Sequence, residues 1–300
     1  MDTQILCPQC KSISSQKFNL KDLNKKIDDD CFTYYECHKC RLLFVYPIPE
    51  NLSKYYPPAY YPFSSSLKEF EKLCEGEKYK IDIVQNFLKK GSLLEIGPAM
   101  GVFAYLAKQA GFDVETIEMD EKCCQFLSQT LNIPTIRSDD IATAIPSNRS
   151  YQIITLWHVV EHLPNPWQVL DRLVGALAPG GFLLLAAPNP HAFQFKLLRS
   201  FWAHLDAPRH LEIIPPELLI EFLKDRGCNI VFRTTKDRGA LGWNVFGWKH
   251  SLSHLLGSVF SPKITHQIGR ITSFLLRPIE RKEGWGSAYT LVFQKYPVSN

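Results

Sequence analysis

From residue 92 onward, short apolar runs alternate with stretches whose apolar positions recur every three or four residues. The runs at 92–97, 113–118, 133–137, 151–157, 180–187, 228–235 and 288–295 predict strands. Helical spacing at 101–110, 121–131, 166–178 and 216–226 predicts helices between them. Such alternation specifies a parallel sheet covered on both faces, with ligands bound beyond the carboxyl ends of the strands, near the switch in strand order. Upstream the pattern changes. Residues 67–90 read as one or two amphipathic helices, and strand-like stretches at 32–36 and 42–46 flank a cysteine pair. Between the last two strands about fifty residues intervene (236–287), and connections that long are usually functional. Within them Ile264, Ile268, Ile271, Phe274 and Leu275 recur at helical spacing, surrounded by Lys263, Arg270, Arg277, Arg281 and Lys282.

Three hundred residues with a 45% apolar share suit one large α/β domain with a small appendage, or two medium domains. A net charge of +4 is too small to argue for nucleic acid, and no such partner is expected. The charge is uneven: Lys236 to Lys282 carries eight Lys/Arg against two acids, a local +6. That segment invites an acidic partner or an anionic membrane surface. A basic amphipathic helix there either caps a substrate pocket with its apolar face, the commoner fate and the preferred expectation, or makes peripheral membrane contact through 263–282. No stretch reaches the roughly 18 apolar residues that span a bilayer, and Met1-Asp2-Thr3-Gln4 opens no apolar core of signal-peptide length. Nine cysteines, an odd number with several in apolar elements, point to a reduced, cytoplasmic protein.

Cys7-Pro8-Gln9-Cys10 and Cys37-His38-Lys39-Cys40 are two C-x-x-C pairs. Each spacing turns two thiolates toward one tetrahedral ion, so Cys7, Cys10, Cys37 and Cys40 form a candidate structural zinc site with no open coordination position. The alternative is four free or redox-active thiols, and Cys31 competes with Cys37 but lacks a partner at the right spacing. After this ribbon-like module comes Tyr55-Tyr56-Pro57-Pro58-Ala59-Tyr60-Tyr61-Pro62, where the prolines forbid a regular helix. Its tyrosines either close over a small-molecule pocket or pack the appendage onto the main domain.

The first strand of the alternating unit ends in Leu94-Glu95-Ile96-Gly97-Pro98-Ala99-Met100-Gly101. A nicotinamide fingerprint wants G-x-G-x-x-G, but Ala99 and Val102 occupy its second and third glycine positions. What fits is E-x-G-x-(G/A)-x-G, and there the sequence resembles the class I S-adenosylmethionine-dependent methyltransferases. The resemblance implies a Rossmann-like seven-stranded sheet, last strand antiparallel, beside a small N-terminal zinc ribbon. It also implies that Glu95 meets the cofactor's methionine amino group and that an acid after strand three, Asp140, meets the adenine amino group. Glu118, about twenty residues past the loop at the end of strand two, can accept both ribose hydroxyl protons. Gly97, Pro98, Ala99, Gly101, Met119, Ile141 and Trp157 complete the expected cofactor surface.

Further on, Trp157-His158-Val159-Val160-Glu161-His162-Leu163, Pro179-Gly180-Gly181 and Pro188-Asn189 follow in order. This succession is similar to that of one methyltransferase subfamily with an N-terminal zinc-ribbon-like module, over roughly residues 90–235. Pro188-Asn189-Pro190 is not the N-P-P-Y motif of base-modifying relatives, which belongs after strand four. His158, Glu161 and His162 fall at i, i+3 and i+4, so a helical turn would present all three on one face. His210 follows on the loop before the next helix. Three roles stay open for these residues. A histidine, His158 or His162, is a general base. Alternatively, His158, Glu161, His162 and His210 hold a divalent ion, as similar methyltransferases do with E-x-x-E-H and a distal histidine. In the third, Glu161 and His162 merely position neighbouring loops.

The organisation expected is a ribbon over 1–50, a tyrosine-rich and helical linker over 51–90, and a methyltransferase domain over 91–300 with a helical insertion at 236–287. The expected activity is methyl transfer from S-adenosylmethionine to a small-molecule, saccharide or glycolipid acceptor, most readily at oxygen. The alternatives are carbon methylation of a deoxysugar, or an inactive scaffold that binds cofactor and a partner.

Overall fold

The computed structural model describes residues 4–57, 60–61 and 67–297. The chain opens with β1 (Ser14–Leu20), β2 (Phe32–Cys37) and β3 (Leu43–Val45), followed by α1 (Leu67–Gln85). Then come β4 (Ser92–Ile96), α2 (Val102–Gln109), β5 (Asp113–Glu118), α3 (Glu121–Gln125), β6 (Thr135–Arg137), α4 (Ile141–Ala144) and β7 (Tyr151–Trp157). The remainder is α5 (Pro166–Ala176), β8 (Leu177–Pro188), α6 (Phe193–Leu198), β9 (Glu212–Ile213), α7 (Pro216–Lys224), β10 (Cys228–Thr234), α8 (Arg238–Leu256), α9 (Pro262–Glu280) and β11 (Ala288–Lys295).

Seven strands form one sheet in the order β10-β11-β8-β7-β4-β5-β6. Strands β4 to β8 run parallel, and β11 lies antiparallel between β8 and β10, as the sequence predicts. The chain moves outward from β4 through β5 and β6, then returns to β7 on the other side of β4. The crevice above β4 and β7 is therefore the switch point where ligands of such sheets bind. Alternate residues feed opposite cores. Leu94, Ile96, Ile154 and Leu156 pack toward α5 and α7, while Leu93 and Ile153 pack toward Phe70, Val84, Phe103 and Ala107 of α1 and α2.

Three boundaries differ from the sequence expectation. The helix expected over 121–131 is the short α3 opening into a wider π turn at Phe126–Thr130. The third strand shrinks to Thr135–Arg137, because Asn132 turns the chain through a left-handed φ of 52°. The helix expected to 178 stops at Ala176, because Leu177 already pairs with Tyr151 of β7.

A second, antiparallel sheet has the order β1-β2-β3-β9. Its fourth strand comes from 170 residues downstream of the third, with Leu43 opposite Ile213 and Phe44 opposite Glu212. Cys7, Cys37, Leu42 and Phe44 share a core with Leu170, Leu173, Leu219 and Phe222, so the ribbon is packed into the α5–α7 layer. Arg209, fully buried, ties the loop before β9 to the turn after β1: its guanidinium donates to Asp22 (2.6 Å) and Asp206 (2.8 Å). The insertion between β10 and β11 is the α8–α9 hairpin. Its helices approach so closely that a Cβ on Gly269 would sit 2.5 Å from the Lys249 Cα.

Candidate active site

β4 carries Glu95 to the switch point. The side chain is buried, its Oε2 has no hydrogen-bond partner, and burial pushes its carboxyl up to about 8. A buried carboxylate without a partner is costly. An ammonium group arriving beside it would restore the ionised form, which is the chemistry the expected cofactor's amino group offers. The loop after β4 is left-handed at Gly97, Ala99 and Gly101 (φ 62°, 51° and 76°). A Cβ on Gly97 would also meet Val159 Cγ2 at 2.8 Å, so two constraints select glycine there. Gly101 caps α2 and donates its N–H to the Pro98 carbonyl (2.8 Å).

Glu118 ends β5 and accepts three backbone N–H groups, from Ala99 (2.9 Å), Met119 (2.8 Å) and Asp120 (2.8 Å). It thereby fixes the Ala99 loop against β5. A carboxylate has about four acceptor positions, so Oε2 retains one for a ligand hydroxyl. Burial raises its pKa, while the three amide donors hold it down. Met119 is half-exposed beside it. Asp140 is exposed and N-caps α4 by accepting from the Thr143 N–H (3.3 Å), with Ile141 as the first residue of that helix. Trp157, at the end of β7, packs its ring against Phe103 (centroids 5.4 Å apart).

The His158–His162 segment departs from the expected regular helix. His158 is left-handed (φ 58°) and donates its N–H to Ala186 of β8 (2.9 Å); only Val160–His162 form a 3₁₀ turn. The three side chains therefore do not share one helical face. Glu161 lies between two groups, with His158 Nδ1 3.5 Å from its Oε1 on one side. On the other side, ligand atoms of Glu161, His162 and His210 all lie within 4.8 Å of one another. His158 is outside that set, so the four-ligand arrangement expected from sequence reduces to three. Both Glu161 oxygens are buried without a hydrogen-bond partner, and burial raises its pKa.

The histidines are positioned by long-range contacts. His162 Nδ1 lies 2.9 Å from the Tyr56 hydroxyl and 3.1 Å from the Arg209 carbonyl, and His210 Nδ1 lies 2.8 Å from the His204 carbonyl. Carbonyl partners place a proton on each Nδ1 and leave each Nε2 with a lone pair. Tyr34 of β2 donates to the His210 carbonyl (2.7 Å), so the ribbon sheet holds this loop directly. Burial keeps all these imidazoles neutral: His158 falls to about 3, helped by the Lys80 charge, and His162 to about 4.

Further side chains reach the site, some from the tyrosine-rich segment that the sequence marks and some from helices that it does not. Tyr56, Tyr60 and Tyr61 form a ladder with successive centroids 5.0 Å apart, beginning at His162. This favours the pocket-closing role for the described tyrosines; Pro58, Ala59 and Pro62 lie outside the described residues. Lys80 of α1 stands 5.3 Å over the Trp157 ring and pairs with Glu77 at 2.7 Å. Trp243 of α8 packs against His158 with the rings tilted (centroids 4.8 Å apart, interplanar angle 57°). Lys80 and Trp243 carry no local motif, because each reaches the site from a helix whose sequence shows nothing beyond helical spacing.

The N-terminal cysteines form two matching turns. Cys7 N–H donates to Ser12 and Cys37 N–H to Leu42, both at 2.9 Å, and Lys11 and Arg41 are left-handed at equivalent positions. Sulfur separations are 3.6 Å for Cys7–Cys40, 3.4 Å for Cys10–Cys37 and 3.6 Å for Cys10–Cys40. Tetrahedral bonds of about 2.3 Å to zinc place sulfurs about 3.8 Å apart, so the four thiols fit such an ion. The hydrogen bond between Cys7 and Cys40 pulls Cys7 down to about 5 and pushes Cys40 far up.

A family model described as a methyltransferase domain matches residues 70–232. The ubiquinone biosynthesis O-methyltransferase of Saccharophagus degradans is 22% identical over 149 residues, 46% of this chain and 63% of that protein. The protein of the same name from Bordetella avium is 24% identical over 153 residues, 47% of this chain and 63% of that one. The chain thus spans about three-fifths of the length of these relatives. A solved Galdieria sulphuraria structure, described as a sarcosine dimethylglycine methyltransferase, superposes with a TM-score of 0.52 at 14% identity. That match covers 75% of this chain and 86% of that one, and it bears on the fold alone.

Proposed function

The chain belongs to the methyltransferase-domain family, and on that premise we propose that it methylates an oxygen of a small-molecule, saccharide or glycolipid acceptor, with His158 taking the proton. S-adenosylmethionine supplies the methyl group on a positively charged sulfur. Glu95 and Glu118 are the residues to receive its amino and ribose groups, and the Gly97–Gly101 backbone gives it close approach.

The observation that carries the assignment to His158 is its conformation. It alone in the segment is left-handed, its ring is braced by Trp243, and its side chain is 19% exposed where Glu161 beside it is sealed. Strain held at such a position marks a functional constraint. With Glu161 Oε1 3.5 Å from Nδ1, Nε2 is the nitrogen left to accept the proton; burial keeps the ring neutral in the free protein, and an ionised Glu161 would support the imidazolium as it forms. His162, His210 and Tyr56 are positioning residues: the two histidines flank Glu161, and Tyr56 is hydrogen-bonded to His162. The relatives named for O-methyl transfer support oxygen as the acceptor atom.

A second reading rests on the cluster of Glu161, His162 and His210. Two imidazoles with carbonyl-bound Nδ1 and a carboxylate without a partner are a suitable donor set for a divalent ion, which would orient the acceptor oxygen. Cys7, Cys10, Cys37 and Cys40 would hold a structural zinc ion.

Calorimetry of S-adenosylmethionine binding, with turnover measured on acceptor mixtures, tests this function. His158→Ala should lower turnover by about 10²–10⁴-fold and leave cofactor affinity unchanged, while Glu118→Ala should abolish binding. Unchanged turnover in His158→Ala removes the base assignment. Loss of turnover on chelation, with the cysteine-bound zinc retained and activity restored by an added divalent ion, selects the second reading.

A further inference from the structure

The sequence expectation that α9 turns its apolar stripe inward onto a pocket is overturned. The face of α9 packed on α8 is small and polar: Thr265, Gly269 and Ser273 are buried, and the Thr265 and Ser253 hydroxyls are 2.6 Å apart. The apolar positions point outward. Phe274 is 74% exposed, Leu275 66% and Ile271 60%, and the turn between the helices adds Val259 at 72%. Small residues let the two helices approach closely, so the large side chains have no room on the inner side.

Charge follows the same geometry. Lys263, Arg270 and Arg277 lie seven residues apart and form a row beside Ile264 and Ile271. None of the three has an ion-pair partner among the described residues. The helix has a single acid, Glu280, and it is buried against Gln194 and Trp248. An outward face of large apolar residues edged only by cations is complementary to an anionic bilayer surface. A second copy of the chain fits it poorly. A two-fold contact would set this cationic row against itself.

The hairpin also connects this face with the reaction centre. Trp243, packed against His158, and Phe246 and His250 follow one another along α8, with rings 5.4 Å and 4.2 Å apart. His250 meets His266 of α9 at 5.1 Å, and Lys25 stands 5.0 Å over Tyr60 of the tyrosine ladder. From Trp243 to the exposed Leu255 is about 18 Å of helix at 1.5 Å per residue.

We propose that the outward face of the α8–α9 hairpin docks on an anionic membrane surface. The Trp243–Phe246–His250 track then leads from that surface to His158, so the acceptor is an amphiphile whose polar end reaches the site. This last step rests on the methyltransferase reading; the docking itself does not.

Flotation of the full chain with vesicles tests it, using phosphatidylcholine alone and phosphatidylcholine mixed with phosphatidylglycerol. Cofactor binding is measured on the same samples. The wild type should float with the anionic vesicles only and release them at high salt. The doubly substituted Ile271→Glu/Phe274→Glu chain should float about tenfold less, with cofactor affinity unchanged because both side chains are exposed. Absence of flotation by the wild type, or equal flotation by the variant, overturns the proposal. So does a wild-type dimer in sedimentation equilibrium that the variant dissolves, which would make the face a homodimer contact. Flotation without cofactor binding would leave the docking standing and fell the methyltransferase reading instead.

Discussion

Ala99 illustrates what a single residue contributes to the cofactor loop. Its φ of 51° is one that alanine adopts at a cost of about 1–2 kcal/mol, and it is held there by the N–H it donates to Glu118. The left-handed turn points that N–H at the carboxylate. Replacing Ala99 by glycine keeps the donor and removes the strain. The Ala99→Gly protein should melt about 2 °C higher with cofactor affinity unchanged, as read by thermal unfolding and calorimetry. A lower melting temperature would mean that unfolded-state entropy outweighs the strain. Glu95 and Glu118 were readable as candidates from the loop and its spacing. The left-handed His158 was not, since a run of helix-compatible residues contains no sign that its first member leaves the helix.

At the level of elements, the ribbon sheet does more than attach to the catalytic sheet. β9 completes it, Tyr34 of β2 holds the His210 carbonyl, and Arg209 reaches Asp22 between β1 and β2. Arg209 and Asp22 side chains are fully sealed from solvent, so removing the cation leaves a buried carboxylate, Asp22, and a partly buried one, Asp206, uncompensated. Such a change costs about 3–5 kcal/mol. Arg209→Met should therefore show a large drop in denaturation midpoint and slower methyl transfer, because the loop carrying His210 and the carbonyl facing His162 move together. Retention of the wild-type midpoint would show that the ribbon is held by its apolar contacts instead. The C-x-x-C pairs and flanking strands were legible locally, whereas a two-residue strand arriving from the far side of the chain has too short a pattern to be recognised.

Over the whole molecule, the buried ionisable groups set an opposing pair of pH responses. Burial holds Glu95 and Glu212 protonated up to about 8, and it holds His158 neutral down to about 3 and His162 and His204 to about 4. For the two carboxyls, the unfolded chain loses its protons above about pH 4.3 while the folded one keeps them. Stability therefore falls as pH rises toward 8. For the three histidines the unfolded chain gains protons below about pH 6.5 while the folded one does not, so stability falls as pH drops toward 4. Glu118, Glu161 and Glu280 are shifted up in the same way and His210, His250, His254 and His266 down, so above pH 6.5 only the carboxyls act and below it the histidines outnumber them. Cofactor-free protein should be most stable near pH 6.5, declining on both sides by about 1 kcal/mol or more per pH unit, as followed by urea unfolding. Monotonic behaviour across pH 5–8 would mean that one class titrates at its ordinary value.

The sequence by itself determined the alternating strands and helices, the glycine loop with its acids, and the paired cysteines. Each depends on periodicity or spacing within a few residues, and short-range sterics enforce it whatever surrounds it. It also placed a helical, basic insertion between the last two strands. Only the tertiary structure decided which residues meet. It brought Tyr56 to His162, Trp243 to His158 and Lys80 to Trp157 from separate segments of the chain, and it set Glu161 between two histidine groups. It also turned the apolar side of α9 outward, against the usual rule. Periodicity fixes that a helix has two faces. Which face is buried depends on how closely its neighbour can approach, and here Gly269 and the small residues beside it gave the inner position to the polar side.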